Sequence, residues 1–326
     1  MTAEHTRIVW LRARFAPPAA PALGIGDDAA VLVGAEALVA TVDAAVEGVH
    51  FRRDLCSLEE ASARAVEAAA SDVAAMGGSL RGPGAGILLA WTLPPALDDD
   101  DFLALVAGAS RAARRLGASV VGGNLSSGPV LGLTTTVLGR LHGPPLTRDG
   151  ALPGDVLAVT GSPGLAGLGL RALLDGRGHD PTLGPAVLAW RCPEARLEAG
   201  AALVGRAHAA IDLSDGLLQD AAHLALASGV CLTFDAERLG ALPGLAGAAA
   251  ALGGHPVRAA LTGGEDYELL ASGPAEVFGR GWHRIGAVTA GDGVYLQSGT
   301  DRRRLDDDPG LQGFDHFREA VNDRGR

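Results

Sequence analysis

The chain contains no lysine, so all 27 of its basic residues are arginines. A Walker A phosphate loop and the ATP site of protein kinases both use a lysine to hold phosphate groups. Schiff-base chemistry likewise needs the lysine amine. The sequence therefore excludes these three classes of site, and a nucleotide bound here must have its phosphates neutralised by other groups.

Cysteines and long apolar runs are also scarce. The three cysteines, Cys56, Cys192 and Cys231, lie far apart and form no CxxC pair. This argues against a disulfide framework or a zinc site and favours a reducing compartment. Arginines interrupt the apolar residues of segment 1–15, which lacks the core of a signal peptide. Because no stretch is long enough to span a membrane either, we expect a cytoplasmic protein.

The net charge of −11 comes without any basic run. Nucleic acid and anionic membrane surfaces are therefore not expected partners. An acidic protein can still bind phosphates when metal ions bridge the two.

Strand-like and helix-like patterns alternate in two successive halves of the 326-residue chain, which predicts an α/β (α+β) protein. The Pro- and Gly-rich segment 142–155 separates the halves. We therefore predict two domains, 1–147 and 148–326. Within the first, 57–78 is predicted as a helix whose Ser57 and Glu60 form a capping box.

Two carboxylates three residues apart, Asp212 and Asp215, lie in "AIDLSDGLLQD", where a predicted strand (209–214) leads into a predicted helix (215–229). Carboxylates crowded in this way need a cation between them, or one of them must take up a proton. Further acids occupy comparable places at strand ends, in glycine turns and on one apolar helix face; these are Asp27, Asp43, Asp72 and Glu265. The glycines of "GGN" (122–124) are predicted to end a strand and to let a ligand approach the backbone. Hard oxygen ligands without cysteine indicate Mg²⁺, which commonly holds substrate phosphates.

Eight blocks between residues 24 and 317 resemble the thiamine-monophosphate kinase family. This family belongs to the superfamily of aminoimidazole ribonucleotide synthetase, selenophosphate synthetase and the hydrogenase maturation factor HypE. The blocks are "GIGDDAAVL", "TVDAAVEGVHF", "SDVAAMGG", "GGNLSSGP", "LTRDGALPGDVLAVTG", "AIDLSDGLLQD", "LTGGEDYELL" and "GFDHF". The resemblance implies a two-domain PurM-like fold, with an N-terminal sheet domain that forms a homodimer and a C-terminal α/β domain. It also implies Mg²⁺-dependent transfer of the γ-phosphoryl group of ATP to thiamine monophosphate.

The resemblance also implies roles for individual residues. Metal ligation is implied for Asp27, Thr41, Val42, Asp43, Asp72, Asn124, Asp212 and Asp215. ATP contacts are implied for Gly123, Asn124, Arg148 and Ser214. Contacts with thiamine monophosphate are implied for His50, Glu265 and Phe314, the last offering a flat face to the cationic thiazolium ring.

The chain departs from the family pattern at several of these places. Asn124 stands where aspartate is common and brings no charge to a metal. Val42 replaces a frequent threonine, so a contact there must use the backbone. Val106 replaces a tyrosine near the adenine, and "CPEARL" (192–197) is a looser form of a proline-rich segment.

For the mechanism we expect direct in-line attack by the substrate phosphate, which is already ionised near neutral pH and needs no dedicated base. A phosphohistidine on His50 is the less favoured route. Two other functions stay open at this point. One is an aminoimidazole ribonucleotide synthetase-like ligase that shares the ATP site, and the other is a non-catalytic nucleotide-binding paralogue.

Overall fold

A computed structural model describes residues 29–33 and 37–311 of the protein. Two predicted site residues, Asp27 and Phe314, lie outside these ranges. The described chain contains two mixed sheets with helices packed against them, which confirms the predicted α/β class.

The first sheet has five strands in the order β1-β2-β5-β3-β4. Its strands are β1 (Ala30–Val33), β2 (Ala37–Val46), β3 (Gly86–Leu93), β4 (Val120–Ser127) and β5 (Gly132–Arg140). The associated helices are α1 (Leu58–Ala75) and α2 (Asp99–Leu116). Only β3 and β4 pair in parallel, and the other pairs are antiparallel. β4 therefore forms one edge of this sheet.

The prediction that 122–124 ends a strand is wrong. β4 continues to Ser127, because Leu125, Ser126 and Ser127 keep pairing with Trp91, Thr92 and Leu93 of β3. The glycines thus lie inside a parallel ladder.

Helix α1 begins where the sequence predicts. The Ser57 side chain accepts from the Glu60 backbone N–H, and the Glu60 carboxylate accepts from the Ser57 N–H, so the capping box is present. Small alanine side chains dominate the helix and allow close packing on several sides. Fifteen of its 18 residues are consequently buried.

Helices α1 and α2 approach each other closely at Gly108. A Cβ atom at this position would lie 2.0 Å from the Glu59 carbonyl oxygen. Only glycine therefore fits at this crossing, and the contact sets the distance between α1 and α2.

The second sheet has seven strands in the order β12-β11-β8-β10-β6-β9-β7. Its strands are β6 (Val156–Thr160), β7 (Ala209–Leu213), β8 (Cys231–Asp235), β9 (Glu268–Gly273), β10 (Trp282–Thr289), β11 (Gly293–Ser298) and β12 (Asp301–Arg304). The helices of this half are α3 (Leu165–Leu174), α4 (Gly184–Arg191), α5 (Leu197–Leu203), α6 (Leu217–Ser228), α7 (Ala236–Gly240), α8 (Leu245–Ala251) and α9 (Pro256–Thr262). None of the helices in the described ranges combines the length and the apolar character that a membrane crossing requires.

The two halves are joined by a buried carboxylate. Glu67 of α1 accepts from the Ala195 backbone N–H at 2.9 Å and forms an ion pair with Arg115 of α2. Nearby, Arg191 Nε donates to the Leu55 carbonyl at 3.0 Å. The contact between the halves therefore combines charge-assisted hydrogen bonds with the apolar packing of α1.

We predict that Gly108→Ala destabilises the protein by about 2 kcal/mol, because overpacking at a tight crossing forces the helices apart. Gly247→Ala is the matched control, since Gly247 is exposed in α8 and an added Cβ would meet nothing within 4 Å. The control should gain up to about 1 kcal/mol from helix propensity. Denaturant unfolding of both variants is the measurement, and a Gly108→Ala protein as stable as the parent would contradict the close approach.

Candidate active site

A cavity of about 800 Å³ lies between the two halves. It is lined by α1, β2 and the turn after it, by α3, α4 and α9, and by the loops that follow β7 and α9. Seven of the predicted site residues line this one cavity: Asp43, His50, Asp72, Asp212, Ser214, Asp215 and Glu265. The structure therefore brings acids from both halves to a shared space.

Helix α1 presents one face to the cavity. That face consists of Ala61, Arg64, Ala65, Ala68 and Asp72, at the spacing of three and four residues that aligns side chains on a helix. The alanines leave the space open, while the two charged residues project from it. Thr41 Oγ1 of β2 donates to Asp72 Oδ2 at 2.5 Å, so Thr41 orients this carboxylate although it does not line the cavity itself.

The two carboxylates of "DLSD" occupy the end of β7 and the turn into α6. Asp212 is buried, with 6% of its surface exposed. Asp215 Oδ2 accepts from Gln219 Nε2 at 3.0 Å, and the Ser214 N–H donates to Asp220 Oδ2. The turn is thus held by side chains of the helix that follows it.

The glycine turn after α9 is fastened to the end of β7. The Glu265 N–H donates to the Ser214 carbonyl at 2.7 Å, and the Tyr267 N–H donates to the Leu213 carbonyl at 2.8 Å. Both Glu265 and Tyr267 adopt positive φ angles, 63° and 52°, which are uncommon for residues other than glycine. This backbone places Glu265 beside Ser214.

Several charged side chains of the cavity affect the pKa of Tyr267. Burial raises the pKa of its phenol well above the ordinary value, and the negative charges of Glu265, Asp43 and Asp212 raise it further, against the opposing charge of Arg64. Tyr267 therefore stays protonated at neutral pH. These acids come from both halves of the chain, so the repulsion between their like charges acts between the halves.

The cavity lining also includes Arg64, Trp190 and Tyr267, which are not among the site residues predicted from the sequence. Arg64 Nη2 lies 3.2 Å from Glu265 Oε1, and the Arg64 guanidinium stacks 4.4 Å from the centre of the Trp190 ring. The Trp190 Nε1–H donates to Glu265 Oε2. One sequence signal was available for Arg64: it is a lone cation on the same helix face as Asp72.

The donor set suits a hard cation, because carboxylate and hydroxyl oxygens dominate it. Within residues 29–33 and 37–311, however, no three His, Cys, Asp or Glu side chains lie close enough to hold a metal ion by themselves. Mg²⁺ usually keeps water or takes substrate phosphate oxygens in addition to one or two carboxylates. The residues therefore fit a magnesium site that a phosphate ligand completes.

Four predicted site residues lie away from this cavity. Gly123 and Asn124 line a second cavity of about 760 Å³, beside Val106 of α2. The strand register aligns Asp43, Thr135, Leu89 and Gly123 in one row, so Gly123 is three strand spacings, roughly 14 Å, from Asp43. Val42 is 64% exposed. Arg148 accepts from Ser228 Oγ through its carbonyl and lines neither cavity.

The chain also resembles known proteins in sequence and in fold. Family models described as "AIR synthase related protein", N-terminal and C-terminal domain, match residues 26–141 and 153–298. The chain is 35% identical to the thiamine-monophosphate kinase of Methanopyrus kandleri over 296 residues, covering 90% of this chain and 92% of the relative. It is 36% identical to that of Mycobacterium tuberculosis over 310 residues, covering 94% and 89%. A solved structure of AaThiL complexed with AMPPCP and TMP matches with a TM-score of 0.82 at 32% identity, covering 90% of this chain and 92% of that one.

We predict that Asp212→Asn raises the unfolding temperature by about 1–3 °C in EDTA, because one negative charge leaves a cavity that Asp43, Asp72 and Asp215 also line. The control is Asp301→Asn, an exposed position on β12 outside the cavity, which should leave the unfolding temperature unchanged. Thermal unfolding by circular dichroism checks both. A lower unfolding temperature for Asp212→Asn would show that the charge is stabilising without a cation.

Proposed function

The chain belongs to the thiamine-monophosphate kinase family, within the AIR synthase related proteins, and from this premise we propose how it performs its reaction. The reaction is the ATP-dependent phosphorylation of thiamine monophosphate to thiamine diphosphate. We propose that the γ-phosphoryl group passes directly to the substrate phosphate by in-line attack, in the cavity between the two halves. The observation that carries the proposal is that acids from both halves line this one cavity.

In-line transfer needs positioned groups and neutralised charge more than covalent help. The substrate phosphate is already an anion near neutral pH, so no residue has to act as its base. Tyr267 stays protonated and supplies a neutral donor within the cavity wall. The Ser214 carbonyl is already engaged by the Glu265 N–H, which keeps the adjacent loop in place.

The hydrogen bonding of His50 argues against a phosphohistidine route. The Val46 backbone N–H donates to His50 Nδ1 at 3.1 Å, so Nδ1 acts as an acceptor. In the neutral imidazole the proton then resides on Nε2, which becomes a donor instead of a nucleophile. His50 therefore suits a hydrogen bond to a substrate oxygen.

We propose that Asp43, Asp72, Asp212 and Asp215 hold Mg²⁺ together with the polyphosphate, and that Asp27 joins them. Bound Mg²⁺ would neutralise charge on the phosphate oxygens. Thr41 contributes by orienting Asp72 through its hydroxyl. Gly123, Asn124, Arg148 and Ser214 stay proposed ATP contacts. Thr41, Val42 and Asn124 stay proposed metal contacts, and His50, Glu265 and Phe314 stay proposed contacts with thiamine monophosphate.

A homodimer through the first sheet is also proposed. β4 is an edge strand of that sheet, and its apolar side chains are exposed: Val120 by 44%, Val121 by 61% and Leu125 by 58%. Edge strands of this kind pair with other chains unless they are blocked.

A reducing cytoplasm is the proposed location, supported by three cysteines that are all free thiols.

The activity test uses purified protein with ATP, Mg²⁺ and thiamine monophosphate, and measures thiamine diphosphate by chromatography. Asp72→Asn should lower kcat/KM by about 100-fold or more, because a charged group that positions the phosphates is lost. The exposed Asp301→Asn should keep parental activity. ATP binding without product would favour a non-catalytic paralogue, and turnover with a different acceptor would favour another enzyme of the superfamily.

The dimer is tested by sedimentation velocity at micromolar concentration. The parent should sediment as a dimer, and Val121→Lys should shift it towards monomer, because lysine on an edge strand blocks strand pairing. Leu226→Lys is the control, since Leu226 is 70% exposed on α6, outside the first sheet. A monomeric parent, or a Val121→Lys protein that stays dimeric, would contradict this interface.

A further inference from the structure

The Glu265 carboxylate is held by a hydrogen bond and an ion pair from two other elements of the fold. Trp190 at the end of α4 donates its indole N–H to Oε2, and Arg64 of α1 lies 3.2 Å from Oε1 through Nη2. Each carboxylate oxygen thus has a partner outside the loop that carries Glu265. The Glu265 side chain still keeps 27% of its surface exposed, whereas the Arg64 side chain keeps 6%.

Arg64 and Trp190 form a rigid pair behind this carboxylate. The guanidinium carbon lies 4.4 Å from the centre of the indole ring, within the range of a cation–π contact. Trp190 is 1% exposed, so its ring is held on all sides by the core. The donors that meet Glu265 are therefore set in place before any ligand arrives.

The Arg64 side chain makes an ion pair with Glu265 and a cation–π contact with Trp190. Its Nη1 is buried and has no hydrogen-bond partner, although buried donors are normally paired. The Arg64 charge faces the Glu265 carboxylate and the Trp190 ring.

We propose that Arg64 and Trp190 are positioning residues that hold the Glu265 carboxylate for the cationic, amine-bearing end of the substrate. This rests on the proposed function. Thiamine monophosphate carries a permanent positive charge on its thiazolium ring and an amino donor on its pyrimidine. A carboxylate oxygen has two lone pairs, so Glu265 can accept from its protein donors and from the substrate together.

The two partners of Glu265 differ in charge. Asp43, Asp212 and Glu265 all place negative charge near Tyr267, and the positive charge of Arg64 opposes theirs. The neutral Trp190 N–H orients the second oxygen without cancelling any of the charge that attracts the substrate.

Helix α1 also sets a distance. Arg64 and Asp72 are eight residues apart on the cavity face, which corresponds to roughly 12 Å of helix rise. We assign the cationic end of thiamine monophosphate to the Glu265 carboxylate beside Arg64, and its phosphate end to the region of Asp72. Helix α1 then fixes both points.

The primary test is Trp190→Phe, which removes the indole N–H and keeps an aromatic ring in the core. We expect KM for thiamine monophosphate to rise about 10-fold, while kcat and KM for ATP stay within about twofold, because one hydrogen bond to the positioning carboxylate is lost. Arg64→Lys should raise the same KM less than Arg64→Met, since lysine keeps the charge but not the planar fork. Thermal unfolding establishes that each variant is folded.

A double-mutant cycle separates positioning from a general loss of structure. In a Glu265→Ala background, Trp190→Phe should change KM for thiamine monophosphate by less than about twofold, because the acceptor through which it acts is gone. Additive effects, or equal weakening of ATP, would overturn the proposal. If the parent forms no thiamine diphosphate, the proposed function fails instead. Calorimetric binding of thiamine monophosphate to the same variants then still decides whether Trp190 acts through Glu265.

Discussion

The packing of helix α1 against both sheets is the constraint on which the rest of the structure depends. The helix contacts β2 and β5 on one side and β7 and β9 on the other. Its alanines permit this double contact, and Gly108 of α2 lets the neighbouring helix approach equally closely. Asp72 and Arg64 reach the cavity because α1 forms part of its wall. A side chain on this helix is therefore fixed relative to both halves.

The cavity concentrates negative charge in a place that is costly for a protein without ligands. Asp212 is buried at the end of β7, and Asp43 reaches the same space from β2. Such crowding is tolerable because the two halves are held together elsewhere, by Glu67 with Arg115 and the Ala195 N–H and by the apolar core. The site thus stores unfavourable electrostatic energy that a bound cation and its phosphates would relieve.

Local patterns in the sequence were sufficient for much of the fold and for part of the site. The capping box of Ser57, the helix that carries Asp72 and the strand that leads to Asp212 all follow from short-range signals. The prediction that a strand ends at 122–124 is wrong because it uses only the local signal of the glycines. The strand continues through pairing with β3, which is distant in the sequence. The grouping of Glu265 with Arg64 and Trp190 joins residues more than 70 positions apart. No periodicity or spacing in the sequence could show it.

The buried position of Glu67 has a consequence for how molecules enter the cavity. Swinging the halves apart would remove the Ala195 N–H from a carboxylate that has little access to water. Hinge opening is therefore opposed by desolvation as well as by lost packing. Ligands should therefore enter and leave the cavity through the surface turns at its rim.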